Sequence, residues 1–142
     1  MVVLALDLGA KRIGLAVSDA EERIAFPAGA LESRGRTRDI AALGELIRER
    51  GVGCVVIGLP IHMSGRRGPE AEAAQRFADE LGKQASVLVE TLDERWTSLE
   101  AERSLRELGR TSKKRARGEV DSLAATLLLR AFLERRAARA HS

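Results

Sequence analysis

The stretch Val2-Val-Leu-Ala-Leu-Asp7-Leu-Gly9-Ala-Lys11-Arg12-Ile13-Gly-Leu-Ala-Val-Ser18 decides the fold. Its two apolar runs, Val2 to Leu8 and Ile13 to Ser18, are parted by Gly9-Ala-Lys-Arg12 and read as two strands joined by a tight connection. A third and weaker run, Ile24 to Leu31, follows with no helical pattern between, and Pro27, which has no N–H to donate, confines it to an edge or a bulge. Three consecutive strands without a helix imply an antiparallel meander. From Thr37 the period changes: Ile40, Leu43, Leu46 and Ile47 recur at helical spacing and Gly51 supplies a stop. Cys54 to Leu59 is a continuous apolar strand, Ala74, Phe77, Ala78 and Leu81 mark an amphipathic helix ended near Gly82, and Val87 to Leu92 returns to strand. That alternation is the mark of parallel crossovers.

Further along, Thr97-Ser-Leu-Glu100 has capping-box spacing and predicts a helix running to Leu108. Gly109 to Gly118 reads as a basic connection. After it Val120, Leu123, Ala124, Leu127, Leu128, Ala131 and Phe132 make the apolar face of a last helix packed on the sheet, with the polar stretch Arg135 to Ser142 expected to fray. The expectation is an α/β fold with a five-stranded mixed sheet, meander first and crossovers after, flanked by helices. No linker separates two domains, so residues 1–138 are counted as one domain and 139–142 as a frayed tail.

With 142 residues, 44% of them hydrophobic, the chain can bury a real core as one domain. The formal charge of +3 hides an asymmetry: the part up to Glu102 is net −4 and the last forty residues are net +7. A basic end region suits a polyanion, and it also suits a plain solvated face. The single cysteine, Cys54, excludes an internal disulfide framework and, amid apolar neighbours, reads as a buried core thiol. His62 and His141 have no partners at zinc spacing. The opening run meets Asp7 too soon for a signal peptide, and no apolar run is long enough to span a membrane, so the cytoplasm is the expected compartment. Aromatic residues make up 3% with no Tyr, which gives little support to base-stacking platforms and shifts recognition toward phosphates and shape.

Three acidic positions carry the candidate chemistry. Asp7 ends an apolar strand just before a glycine turn, Asp93-Glu94 ends another strand in the same manner, and Asp121 falls in the expected first turn of the last helix. Taken singly, each has an ordinary reading: a turn cap, solvated acids, a partner of the helix dipole. Taken together, the first and fifth strands can deliver Asp7 and Glu94 to one edge while a packed helix brings Asp121 over it. Clustered carboxylates repel, a divalent cation offsets the repulsion, and oxygen-only ligands suit Mg²⁺ or Mn²⁺ over zinc. Two such ions can activate water and stabilise the leaving oxygen in phosphodiester hydrolysis.

These blocks in order, Asp7-Leu-Gly-Ala-Lys-Arg-Ile-Gly14 with Ala16 and Ser18-Asp19, Gly58-Leu-Pro60 with Met63 and Gly65, Asp93-Glu-Arg95 with Thr97, and Val120-Asp-Ser122 with Ala124, resemble the YqgF family. That family of pre-16S rRNA nucleases is also described as Holliday-junction-resolvase-like and has a ribonuclease H-like fold. The likeness spans nearly the whole chain; one small departure is Trp96-Thr97-Ser98, where the family tends to have an aliphatic residue before two hydroxyl residues. The resemblance implies that Asp7, Glu94 and Asp121 are catalytic, metal-binding acids using Mg²⁺ or Mn²⁺, with Asp93 the neighbour left open. It also implies that Lys11 and Arg12 reach a phosphate. Arg95 can grip a carboxylate or a phosphate bidentately, or simply pair with Glu90 or Asp93 at the surface. Lys113, Lys114, Arg115 and Arg117 are the clearest nucleic-acid contacts, or else a solvated loop. Gly58 to Gly68 reads as a mobile loop bordering the site or a plain connection.

The implied function is a nuclease on structured nucleic acid, with 5′-end maturation of ribosomal RNA favoured, as monomer or homodimer. Junction-resolving DNA cleavage would need a dimer, and a non-catalytic RNA-binding factor retaining the fold is the third reading. The strand-turn Asp-x-Gly also resembles the phosphate loop of sugar kinases and actin-like ATPases, but those need two lobes and this chain supplies one.

Overall fold

A computed structural model describes residues 1–96 and 117–140. The strands are β1 (Val2–Leu8), β2 (Arg12–Ser18), β3 (Ala25–Glu32), β4 (Val52–Leu59) and β5 (Leu88–Asp93). The helices are α1 (Arg36–Arg50), α2 (Pro69–Ala85) and α3 (Arg117–Ala140), with a 3₁₀ turn at Glu94–Trp96. The strands form one five-stranded sheet in the order β3-β2-β1-β4-β5. β1–β2 and β2–β3 are antiparallel, β1–β4 and β4–β5 parallel, so the expected mixed sheet is present. The helix read over Thr97 to Leu108 and positions 109–116 of the basic connection lie outside the described residues.

Gly9 makes the first turn: its N–H donates to the Arg12 carbonyl at 2.9 Å, and a Cβ there would lie 2.6 Å from that same oxygen. α1 stops where the left-handed Gly51 donates back to Arg48 and Ile47. α2 begins with Pro69 in its first turn and runs past Gly82 to Ala85, ending on the left-handed Ser86. Gly82 therefore does not end the helix. A Cβ on it would sit 3.4 Å from the Val87 carbonyl and from a Val89 methyl, so the glycine serves the close approach of α2 to β5.

The two faces of the sheet bury separate cores. Leu4, Leu6, Ile13, Leu15, Val55 and Ile57 pack with Ile40, Leu43, Phe77 and Leu81 of α1 and α2. Val3, Ala5, Ala16, Cys54 and Val56 pack with Ala125, Leu128, Leu129 and Phe132 of α3. Cys54 is the buried thiol expected of it, and burial pushes its pKa up. Each large aliphatic residue so buried contributes about 1.5–3 kcal/mol. Among the described residues no helix is long and apolar enough to cross a membrane.

α3 differs from expectation at both ends. It starts at Arg117, so Arg117 and Gly118 are helical and Asp121 is the helix's fifth residue, a full turn inside. That removes the basis of the helix-dipole reading, because the dipole's effect fades within the first turn. At the other end, the stretch from Arg135 does not fray at once but continues the helix to Ala140. Arg136 explains this: its guanidinium pairs with Glu22 at 3.0 Å, lies 3.7 Å from Glu90, and stands 5.3 Å from the Phe132 ring centre.

Pro27 makes β3 the irregular edge strand it was expected to be. The register slips between Gly14 and Ala16 of β2, which face Ala30 and Pro27, leaving Leu15 without a partner on β3 and Ala28 and Gly29 without partners on β2. Ser122 of α3 fills the gap. Its hydroxyl donates to the Leu15 carbonyl at 2.9 Å and accepts the Gly29 N–H at 3.3 Å, and the residue is 1% exposed. Ser122→Ala strands both backbone groups under the helix, and urea unfolding is expected to show a loss of about 1–3 kcal/mol; a loss below about 0.5 kcal/mol, as at an ordinary surface position, would overturn the latch.

Candidate active site

β1 and β5 flank β4 and run parallel to it, so the C-terminal ends of all three reach one edge of the sheet. Asp7 is the penultimate residue of β1, and the period-two alternation puts it on the face of Val3 and Ala5, the face covered by α3. Asp93 is the last residue of β5 and Glu94 the first of the 3₁₀ turn. Between them, on β4, lies Gly58. A Cβ at Gly58 would come within 2.6 Å of Glu94 Oε1 and 2.8 Å of its Cγ. The Glu94 side chain thus lies across the space that any other residue would fill, and this brings it into hydrogen-bond contact with Asp7.

Two carboxylates can make that contact only by sharing a proton. Burial, and then the Asp7 charge, the Asp7 hydrogen bond and the Asp93 charge, push the Glu94 pKa from 4.5 up to about 7. Asp93 has a different environment. Arg95 folds back on it, with Nε and Nη2 both reaching Oδ2, at 2.8 and 2.5 Å, and its backbone N–H reaching Oδ1 at 2.9 Å. The remaining guanidinium nitrogen, Nη1, reaches the Met63 carbonyl at 3.4 Å. Of the two adjacent acids, Glu94 is the one brought to Asp7, and Asp93 engages the arginine.

Glu94 and Arg95 open on a depression of about 370 Å³ that Pro60, His62, Met63 and Glu70 also line. Gly58 and Leu59 are buried strand residues, so the loop read over Gly58 to Gly68 is shorter, running from Pro60 to Gly68. It is tied by Gly65 N–H to the His62 carbonyl at 2.7 Å and by His62 N–H to the Arg66 carbonyl at 3.0 Å.

Asp121 is placed on α3, beside the Ser122 latch and one turn ahead of Ala125, which packs in the core with Val3 and Ala5. Lys11 is exposed in the β1–β2 turn, where its carbonyl accepts the Ser33 N–H at 2.9 Å, and Arg12 is half-buried opposite Glu32 of β3. Lys113, Lys114 and Arg115 lie outside the described residues, and Arg117 begins α3. Sequence reasoning missed what Gly58 does; a glycine inside an otherwise apolar strand run is the signal that a neighbour comes close. It also missed Asp39, which is 4% exposed and accepts the Ser33 hydroxyl at 2.6 Å and the Arg34 N–H at 2.8 Å.

Among the described residues no group of three or more His, Cys, Asp or Glu is placed to hold a metal ion. The described donors, Asp7 and Glu94, nevertheless fit a hard divalent cation: both are carboxylates, and their repulsion is relieved by a proton that a cation can replace.

The family described as "RuvX: Holliday junction resolvase" matches residues 1–135. A protein of Chloroflexus aurantiacus strain J-10-fl named "Putative pre-16S rRNA nuclease" is 47% identical over 135 residues, 95% of this chain and 88% of the relative. One of the same name from Anaeromyxobacter sp. strain Fw109-5 is 44% identical over 136 residues, 96% of this chain and 98% of the relative. Among solved structures, T. thermophilus RuvC in complex with Holliday junction substrate aligns with TM-score 0.62 at 19% identity, covering 96% of each chain. The fowlpox virus Holliday junction resolvase aligns with TM-score 0.58 at 12% identity, covering 94% of this chain and 99% of its own. These likenesses show a shared fold.

The carboxylate pair has a pH signature in metal-free protein. Because the folded-state pKa of Glu94 is raised, its contribution to stability is fully present below 4.5 and is lost as pH climbs through about 7. Carboxyl ¹³C titration in EDTA is expected to give a Glu94 midpoint near 7 that falls in Asp7→Asn, while burial keeps it above the ordinary value. An identical midpoint in the variant would mean that Asp7 does not act on Glu94.

Proposed function

The chain belongs to the RuvX family, and from that membership and the Asp7–Glu94 pair we propose that it is a divalent-metal-dependent nuclease hydrolysing phosphodiester bonds in structured nucleic acid, with the 5′ end of pre-16S ribosomal RNA as its substrate. The observation that carries the reading is the meeting of two half-buried carboxylates over a glycine at the sheet's edge, an arrangement that is costly without a cation and useful with one.

Asp7, Glu94 and Asp121 hold the metal in this reading, and Asp93 does not. Mg²⁺ or Mn²⁺ bound there supplies a polarised water as nucleophile and positive charge beside the departing oxygen. The chain's own groups do the rest. Arg95, by gripping Asp93, anchors the turn that aims Glu94 and neutralises a charge that would otherwise add to the repulsion. Lys11 and Arg12 take the substrate's phosphates next to Asp7. Lys113, Lys114, Arg115 and Arg117 extend that contact along the strand and give most of its salt dependence. Such a substrate places the chain in the cytoplasm.

The family description and the resolvase fold favour junction DNA as the second substrate reading, which requires two copies to cut two strands symmetrically. Comparing pre-ribosomal RNA ends with junction DNA on one preparation decides between them.

Asp7→Asn, Glu94→Gln and Asp121→Asn are each expected to abolish cleavage, by about 10²-fold or more, with circular dichroism unchanged. The products should carry a 5′-phosphate and a 3′-hydroxyl. His62 lines the depression beside Glu94, so product ends are the informative readout: cyclic phosphates formed in EDTA would replace this mechanism with attack by the ribose. In a separate measurement, exchanging Lys113, Lys114, Arg115 and Arg117 for Ser should flatten the log–log salt dependence of binding by about 0.7–0.9 per lost phosphate contact. An unchanged slope would make the segment a solvated loop.

A further inference from the structure

On the face of the sheet opposite α3, the strand ends border a second cavity of about 470 Å³, between the β1–β2 turn, the segment leading into α1, and the first half of α2. Its walls are apolar where Leu8, Ile13, Pro60 and Phe77 meet, and Phe77 is the only aromatic ring among its lining residues. Its polar groups are of two kinds. Asp39 and Glu70 present carboxylates; Arg36 and Arg76 present guanidinium groups. Glu70 and Arg76 make no hydrogen bond or ion pair with any described residue, whereas Arg36 pairs with Glu80. Asp39 accepts the Ser33 hydroxyl and the Arg34 N–H, which fixes the wall segment entering α1, and a carboxylate with two partners has lone pairs left.

The cavity adjoins the candidate active site. Pro60 and Glu70 line both it and the depression that contains Glu94, and Gly9 and Ala10, two and three residues after Asp7, form part of its rim. A strand whose phosphate lies at Asp7 and Glu94 can therefore turn over Pro60 and drop a neighbouring nucleotide into the cavity. We propose that this cavity is a nucleotide subsite, taking one unpaired nucleotide next to the cleaved phosphate. The base lies against Phe77, Leu8 and Ile13, its exocyclic amine donates to Asp39 or Glu70, and its phosphate faces Arg76. The acceptor pair favours adenine, cytosine or guanine over uracil, which has no amine to donate. The identification of the nucleotide as part of a substrate strand rests on the nuclease reading; the subsite itself does not.

The test uses the full chain without divalent ions, so that binding is read apart from cleavage. In ¹⁵N spectra, adenosine 5′-monophosphate is expected to shift the amides of Ala10, Ala73 and Phe77 saturably, uridine 5′-monophosphate less, and ribose 5-phosphate least. Ala73 is an exposed lining residue of α2, so Ala73→Trp fills the cavity from its rim and leaves Asp7 and Glu94, which do not line it, unchanged. That variant is expected to lose about tenfold in affinity for the mononucleotide and for a single-stranded RNA hexamer, with affinity for fully paired RNA unchanged. Shifts confined to other residues, or equal hexamer binding by a folded Ala73→Trp protein, would overturn the subsite. Cleavage is then assayed separately with Mg²⁺ or Mn²⁺. A chain that binds the nucleotide in the cavity but cuts nothing keeps the subsite and loses the nuclease reading; one that cuts with the cavity silent does the reverse.

Discussion

Two carboxylates held in hydrogen-bond contact at the end of a sheet set the terms for everything around them. Bringing Glu94 to Asp7 costs desolvation and repulsion, and both push the Glu94 pKa up. Flexible loops would relax the strain by moving the acids apart. Here one acid is inside β1 and the other directly follows β5, and both strands pair with β4, which lies between them. The two buried cores, one on each face, keep that sheet from yielding. Gly58 supplies the last condition, an empty space on β4 into which the longer side chain can fall. The pair is thus a property of three strands and one missing Cβ.

The neighbouring charges are arranged to limit the cost. Asp93 precedes Glu94 and would add a third negative charge, but Arg95 meets it through both side chain and backbone. The same arginine reaches the Met63 carbonyl, so the turn after β5 and the loop after β4 are connected through one guanidinium. On the other side of the sheet's edge, Ser122 fixes α3 to the irregular stretch shared by β2 and β3. Asp121 is the adjacent residue, and the latch therefore sets where along the sheet the helix carries it. An edge strand weakened by Pro27 becomes the docking point of the helix that bears the third acid.

Much of this was legible in the sequence because it depends on local period and on backbone chemistry. The strand alternation, the Gly9 turn, the Gly51 stop and the edge position forced by Pro27 all follow from residues acting on their immediate neighbours. What was not legible depends on partners distant in the chain. Gly58 looked like the start of a loop, since nothing local shows that Glu94, 36 residues on, will lie over it. Gly82 looked like a helix stop until β5 was seen against it. The stretch from Arg135 looked like a tail because its charges seemed unspent, yet Arg136 has Glu22 and Glu90 waiting on other elements. Between Asp93 and Glu94 the composition offers no choice at all. The choice comes from where β5 ends and from Arg95 turning back.

The same strand ends border two separate spaces. Asp7 lies toward the α3 face, on the side of β1 where Val3 and Ala5 pack in the core with α3. The second cavity lies toward α1 and α2, where Gly9, Ala10 and Ala73 line it together with the charged Arg36, Glu70 and Arg76. Pro60 and Glu70 belong to the linings of both spaces, so the two adjoin at the edge of the sheet. Asp7 and Glu94 do not line the second cavity, so on the proposed reading base selection belongs to the α2 face and the chemistry to the acid pair.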